Sequence, residues 1–135
     1  MESNDKKLKI QSKFWLDFGD EVIFGLGRIK IFQAIEETGS MSQAAALLGM
    51  SYRAAWGKVK ATEDRLQMSL VERQQGNRRQ GTVLTPAGKE LLRAYIEFQT
   101  KAHEQIDALF EERLAKILDH LNEKHPEQKL TTDEK

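Results

Sequence analysis

Residues 40–66 read Ser40-Met41-Ser42-Gln43-Ala44-Ala45-Ala46-Leu47-Leu48-Gly49-Met50-Ser51-Tyr52-Arg53-Ala54-Ala55-Trp56-Gly57-Lys58-Val59-Lys60-Ala61-Thr62-Glu63-Asp64-Arg65-Leu66. The stretch spells two short helices joined by a tight turn, the second long enough to lie in a DNA groove. Ser40 can cap the first helix, and Gln43 can reach back to complete a capping box. Ala44, Ala45 and Ala46 are small enough for a second helix to cross closely, and Leu47 and Leu48 are expected to meet the core. Gly49 falls where the chain must leave the helix through a left-handed conformation, which glycine adopts at little cost. Met50 plugs the turn, and Ser51 is placed to cap the next helix. In that helix Ala55, Val59, Thr62 and Leu66 recur at spacings of four, three and four, the inward stripe of a 3.6-period element. Tyr52, Arg53, Gly57, Lys58 and Lys60 mostly fall off the stripe, so the outer face is polar and basic. An ordinary helical hairpin with a wet basic face would show the same pattern, so the context has to decide.

Beyond the helix pair, Leu70-Val71-Glu72-Arg73 and Thr82-Val83-Leu84 read as short strands, with Gln74 to Gly81 between them. Gly76 and Gly81 suit a flexible loop, and Asn77 tolerates left-handed backbone. Two strands after a recognition helix, joined by a loop carrying Arg78 and Arg79, make a wing. A wing brings cations beside a phosphate backbone or into a minor groove. A plain surface hairpin looks the same locally; its position after the helix pair favours the wing. Thr85-Pro86 then opens another helix, with Thr85 as cap and Pro86 at the first helical position, where its missing N–H matters least.

The formal net charge of zero conceals an uneven distribution. Residues 41–89 carry eight cations (Arg53, Lys58, Lys60, Arg65, Arg73, Arg78, Arg79 and Lys89) against Glu63, Asp64 and Glu72, a balance of plus five. The preceding forty residues hold six cations and seven anions, and residues 90–135 hold seven and eleven. A basic middle can bind phosphate while acidic flanks limit indiscriminate association.

On the N-terminal side, Leu8-Lys9-Ile10-Gln11-Ser12-Lys13-Phe14-Trp15-Leu16 alternates apolar with polar until its end. Asp17-Phe18-Gly19-Asp20 reads as a turn and Glu21-Val22-Ile23-Phe24 as a returning strand. Gly25-Leu26-Gly27-Arg28 lacks the Lys-Ser/Thr ending of a phosphate loop and reads as a strand-to-helix turn. A first helix follows over Arg28 to Thr38, with Ile31, Phe32 and Ile35 on its apolar side and Gly39 ending it. On the C-terminal side, Leu91, Tyr95, Phe98, Ala102, Ile106, Leu109, Arg113, Ile117 and Leu121 form a stripe at spacings of three and four. A helix of that length spans about 50 Å, more apolar face than a small winged helix can cover. A twin helix from a second copy would cover it; a helix folded back on its own domain, broken near Glu111-Glu112-Arg113, is the alternative. Residues 123–135 are polar, contain Pro126 and read as a tail.

At 135 residues the chain is expected to be one domain with an extension. No apolar run approaches the roughly 20 residues that span a bilayer, and Met1 to Lys7 lacks the apolar stretch of a secretory signal. The absence of Cys removes disulfides, thiolate chemistry and the usual zinc sites. A cytoplasmic, non-membrane protein fits these features. His103, His120 and His125 do not have the spacing of paired metal ligands on one helix face and read as solvated. No grouping of Ser, His and acid recommends catalysis. Neither a metal nor a cofactor is expected, and the chain does not read as an enzyme.

Four segments together resemble the N-terminal DNA-binding region of the molybdate-responsive ModE family of bacterial regulators. They are Gly39-Ser40-Met41-Ser42-Gln43-Ala44-Ala45, Met50-Ser51-Tyr52-Arg53-Ala54-Ala55-Trp56, Leu70-Val71-Glu72-Arg73 and Leu84-Thr85-Pro86-Ala87-Gly88. The resemblance covers roughly residues 8 to 110, and Ser-Tyr-Arg-Ala-Ala-Trp is its most discriminating part. The first helix pair and the Leu-Thr-Pro-Ala-Gly segment are also similar to LysR-type regulators.

The resemblance implies a mainly α protein with small β elements, a homodimeric winged helix-turn-helix that binds a double-stranded DNA operator and regulates transcription. The expected divisions are a tail (1–7), a β-hairpin (8–25), the winged helix-turn-helix (26–85), a long dimerisation helix (86–121) and a second tail (122–135). Ser51, Tyr52 and Arg53 would enter the major groove and Arg78 and Arg79 occupy the wing. Ser42, Lys58, Lys60 and Arg73 complete the expected DNA contacts, with Lys58 and Lys60 on phosphates. Trp56 is expected to pack rather than stack on a base, and Arg65 either contacts DNA or is solvated. Leu91, Tyr95, Phe98, Ala102, Ile106 and Leu109 would form the dimer seam. Two departures from the family are expected to matter. Only fourteen residues follow Leu121, too few for an oxyanion-binding module, so molybdate sensing does not carry over with the DNA-binding role, and a separate effector-sensing protein stays open as a partner. The loop Gln75 to Gly81 also has fewer glycines than the family's wing. The alternative function is a protein-interaction module that keeps the winged helix and no longer binds DNA.

Overall fold

The computed structural model describes residues 7–74 and 81–125. They form two compact units: Lys13–Gln99, and a smaller one in which residues 7–12 join residues 100–125. The expected wing cations Arg78 and Arg79, most of the loop between the wing strands, and the end of the expected C-terminal tail lie outside the described residues.

The larger unit opens with an antiparallel hairpin, β1 (Trp15–Phe18) and β2 (Glu21–Gly25), turning at Gly19, whose φ is +67°. The strand expected from Leu8 begins only at Trp15, and the expected turn narrows to Gly19 and Asp20. The cause is the partner strand. β2 has five residues, its last partner for β1 is Gly25 opposite Trp15, and residues 8–14 have no ladder to join. β2 turns Ile23 and Phe24 into the core, whereas β1 is exposed throughout.

Helix α1 (Leu26–Thr38) starts two residues earlier than expected and buries Ile29, Ile31, Phe32, Ala34 and Ile35. It ends at Gly39 with φ +71°, whose N–H bonds the Ile35 carbonyl at 2.8 Å. Helix α2 (Met41–Leu47) is capped as expected, the Ser40 hydroxyl accepting the Gln43 N–H at 3.1 Å. The reciprocal half of the capping box differs: the Ser40 N–H donates to the Thr38 hydroxyl at 3.2 Å, not to Gln43. Met41, Ala44 and Ala45 face inward, and Leu48 continues their i, i+3, i+4, i+7 row. Leu47 falls one position off that row and is exposed, contrary to expectation.

Gly49, with φ +69°, carries the chain into helix α3 (Tyr52–Leu66), capped by Ser51 through the Ala54 N–H at 3.0 Å. Ala55, Val59 and Thr62 are buried and Leu66 packs at the core's edge, as the stripe requires. Strands β3 (Val71–Gln74) and β4 (Gly81–Leu84) pair antiparallel with Val71 opposite Leu84 and Gln74 opposite Gly81. Thr85 returns the chain: its N–H bonds the Leu70 carbonyl at 2.9 Å, and its hydroxyl accepts from the Gly88 N–H at 3.0 Å.

Helix α4 (Pro86–Leu109) buries Gly88, Leu92 and Tyr95. Tyr95 packs edge-on against Phe24 with ring centroids 5.1 Å apart, and its hydroxyl donates to the Phe14 carbonyl at 3.1 Å. Tyr95, a member of the expected dimer seam, is therefore mostly covered within its own unit, while Phe98 is 57% exposed.

In the smaller unit the helical backbone widens to a π turn over Phe110–Ala115, with Phe110 buried, and resumes as α5 (Lys116–Lys124). The helix is therefore irregular at the Glu111-Glu112-Arg113 segment but is not ended there. Asn122 to Lys124, expected in the tail, are helical. The helix stops at His125 because a following proline disfavours helical backbone at the residue before it. Ala102 and Ile106 are half-buried and Leu109 is exposed. His103, expected to be solvated, lies with its Nδ1 2.8 Å from the Ser12 hydroxyl. Among the described residues no group of His, Asp and Glu is arranged to hold a metal ion, and no helix is long and apolar enough to cross a membrane.

Candidate nucleic-acid interface

Helix α3 is sorted by its own periodicity. With Ala55, Val59 and Thr62 turned inward, Tyr52, Arg53, Lys58 and Lys60 are left on the exposed side. Ser51 stands exposed at its start, and Ser42 is exposed on α2. The Ser51 oxygen is engaged as a cap, but its O–H stays available as a donor. Among the described residues no acceptor engages the Arg53 guanidinium.

Two further cations have no such freedom. Arg28, on the first turn of α1, donates to the Lys58 carbonyl at 2.6 Å and to the Thr62 hydroxyl at 3.0 Å. Burial, and secondly the charge of Arg65, lowers its pKa from the usual arginine value. Arg65 donates to the Val22 carbonyl, and its Nε lies 3.2 Å from Glu21. It is not merely solvated, one of the two outcomes expected of it; it ties α3 to the hairpin. Thr62 does the same from inside, its hydroxyl donating to the Ile23 carbonyl at 2.7 Å.

A second set of contacts joins α3 to the wing. Glu63 accepts the N–H groups of Leu70 and Val71 at 2.8 and 3.0 Å, and its other oxygen lies 3.7 Å from Lys60. Two helical turns earlier, Trp56 lies under the Arg73 guanidinium, whose carbon is 4.8 Å from the ring centroid. Tyr52 meets the same indole edge-on at 6.4 Å. The expectation that Trp56 packs is met: it sits at the edge of the core with Nε1 buried.

The structure thus gathers Tyr52, Arg53, Lys58, Lys60 and Arg73 about one helix and the first strand of the wing. The roles of Arg28 and Glu63 have no local signature in the sequence. Glu63 reads as one more charge on a solvated helix, although its seven-residue spacing from Trp56 places both on one face.

Residues 26–89 match the family of bacterial regulatory helix-turn-helix proteins of the LysR type. This segment is similar to a LysR-type helix-turn-helix. The chain is also 43% identical over 72 residues to the molybdenum-pterin-binding protein MopB of Rhodobacter capsulatus, covering 53% of this chain and 27% of that protein. It is 34% identical over 88 residues to the transcriptional regulator ModE of Yersinia pestis, covering 64% of this chain and 34% of that one. The chain therefore matches about a third or less of the length of these relatives. Its backbone is similar to the BenM DNA-binding domain in complex with benA site 1 DNA, with a TM-score of 0.51 at 19% identity over 66% of this chain and 96% of that one. That likeness shows the winged helix-turn-helix fold.

Proposed function

We propose that this chain binds double-stranded DNA with sequence preference, as a homodimer, and regulates transcription. The observation that carries the reading is the division of α3, with apolar and hydroxyl side chains turned into the fold and Tyr52, Arg53, Lys58 and Lys60 turned out. Arg53 can pair with a guanine edge in the major groove; Ser51 and Tyr52 stand beside it. Ser42, Lys58, Lys60 and Arg73 serve as phosphate contacts, and Arg78 and Arg79 extend the set along the wing. Similarity to a relative named as a transcriptional regulator supports the same reading.

Dimerisation is supported by apolar surface that the larger unit leaves open. Trp15, Leu16 and Phe98 are 62%, 49% and 57% exposed. With Phe14, Leu91 and Tyr95 they line a recess of about 530 Å³. Surface of this kind gains about 25 cal/mol per Å² when removed from water. Leu91, Ala102, Ile106 and Leu109 would extend the seam along the helical segment. A twofold pair of recognition helices calls for a partly palindromic site with half-sites about one helical turn, or a multiple, apart. A cytoplasmic location follows from the same function.

Selection of bound fragments from the native genome tests the proposal. Enrichment of a partly palindromic sequence, with preference relaxed by Arg53→Ala, is the expected result. No enrichment over bulk DNA would favour a protein-interaction module instead.

A further inference from the structure

We propose that Trp56 is a positioning residue that presets the Arg73 guanidinium for a DNA backbone phosphate. The inference rests on the DNA-binding reading above and deepens it. Arg73 and Val71 alternate onto the same face of β3. Val71 is buried, with its N–H held by Glu63, while Arg73 emerges over Trp56. Trp56 and Glu63 are seven residues apart on α3, two turns along one face, so helix and strand are joined at two points. The Glu63 contact fixes where β3 begins; the Trp56 contact fixes where its guanidinium lies.

The stacked geometry suits an anion. An arginine resting on an aromatic ring spends its flat face, whereas its N–H donors lie in the guanidinium plane and stay free for two phosphate oxygens. Holding the group in place beforehand reduces the side-chain freedom lost on binding. The indole is not oriented by a hydrogen bond of its own, since its buried Nε1 has no partner among the described residues. What it offers to Arg73 is the ring. Tyr52, edge-on to the same ring, places the start of the recognition helix and the end of β3 in one array.

A double-mutant cycle on duplex affinity, with Trp56→Ala, Arg73→Ala and the pair, tests this. Trp56→Ala alone is expected to weaken binding about two- to five-fold, the worth of an exposed cation–ring contact. It should cost little further in the Arg73→Ala background. Trp56→Phe, which keeps a ring, should retain most of the affinity. Arg73→Lys should lose affinity although the charge is kept, because an ammonium has neither the flat face nor the fork. These two milder variants decide the matter if Trp56→Ala fails to fold. Losses that simply add, or an Arg73→Lys protein as tight as the parent, would overturn the inference and leave the DNA-binding reading standing. A parent protein that binds no duplex at low salt would overturn both.

Discussion

The Thr62 hydroxyl donates to the Ile23 carbonyl at 2.7 Å while accepting from the Arg28 guanidinium at 3.0 Å. One fully buried side chain thus joins α3 to the hairpin strand and to the first helix. Arg28 and Arg65 repeat the attachment on either side, through the Lys58 and Val22 carbonyls. The basic face of α3 is therefore held in place by contacts made at its back.

Thr62→Val keeps the shape and removes the hydroxyl. It leaves the Ile23 carbonyl without its donor and Arg28 with one acceptor fewer. The expected loss of stability is about 1–3 kcal/mol, read as a lower urea midpoint at unchanged slope.

Two glycines should respond to alanine with opposite signs. A Cβ at Gly88 would run into the Leu70 carbonyl oxygen, the acceptor that also holds the Thr85 N–H. Gly88→Ala should therefore destabilise by about 1–3 kcal/mol. A Cβ at Gly57 meets nothing within 4 Å, so Gly57→Ala should stabilise α3 by about 0.5–1 kcal/mol. Gly57 follows Arg53 by one turn on the exposed side, where a groove would approach most closely. Gly57→Leu is accordingly expected to fold well and bind duplex less tightly than the parent. Thermal melts and a binding titration on the same samples check both parts.

Burial raises the Tyr95 phenol above its ordinary value near 10. The folded state then holds its proton more tightly than the unfolded chain. The resulting stability is complete below the unfolded pKa, about 10, and is lost as pH rises through the higher folded value. Unfolding midpoints between pH 8 and pH 11, taken as about the accessible alkaline range, should fall less steeply for Tyr95→Phe than for the parent. At neutral pH the same variant should lose about 1 kcal/mol with the hydrogen bond to Phe14.

Much of this arrangement is legible in the residues. Ser40, Gly49, Ser51 and Thr85-Pro86 act through bonds to neighbours a few positions away, so each local signal keeps its meaning in the fold. The misread features depend on distant partners. The alternation from Leu8 to Phe14 resembles a strand, but a strand needs a ladder and β2 is too short to supply one. The stripe containing Tyr95 shows an apolar face without saying what covers it; here Phe24 and the Phe14 carbonyl do. Arg28, Glu63 and Arg65 look like surface charges because their partners include backbone groups that only folding brings close. In the candidate interface, the exposed face of α3 could be read from spacing alone. The Trp56–Arg73 contact required the register of β3.

The seam is open to a direct test. Phe98→Glu places a charge on apolar surface outside the core cluster, so the larger unit should keep its fold while self-association is lost. Sedimentation equilibrium should show a dimer for the parent and a monomer for the variant.

The most direct test of the regulator function is duplex affinity as a function of salt, with a genome-selected fragment and a scrambled one of equal length. For the parent, the logarithm of affinity should fall linearly with the logarithm of salt, and the selected fragment should bind more tightly throughout. Arg53→Ala should weaken the selected complex by about 5- to 100-fold and the scrambled one far less. Binding that is absent at low ionic strength, insensitive to salt, or reduced equally for both fragments by Arg53→Ala would contradict it.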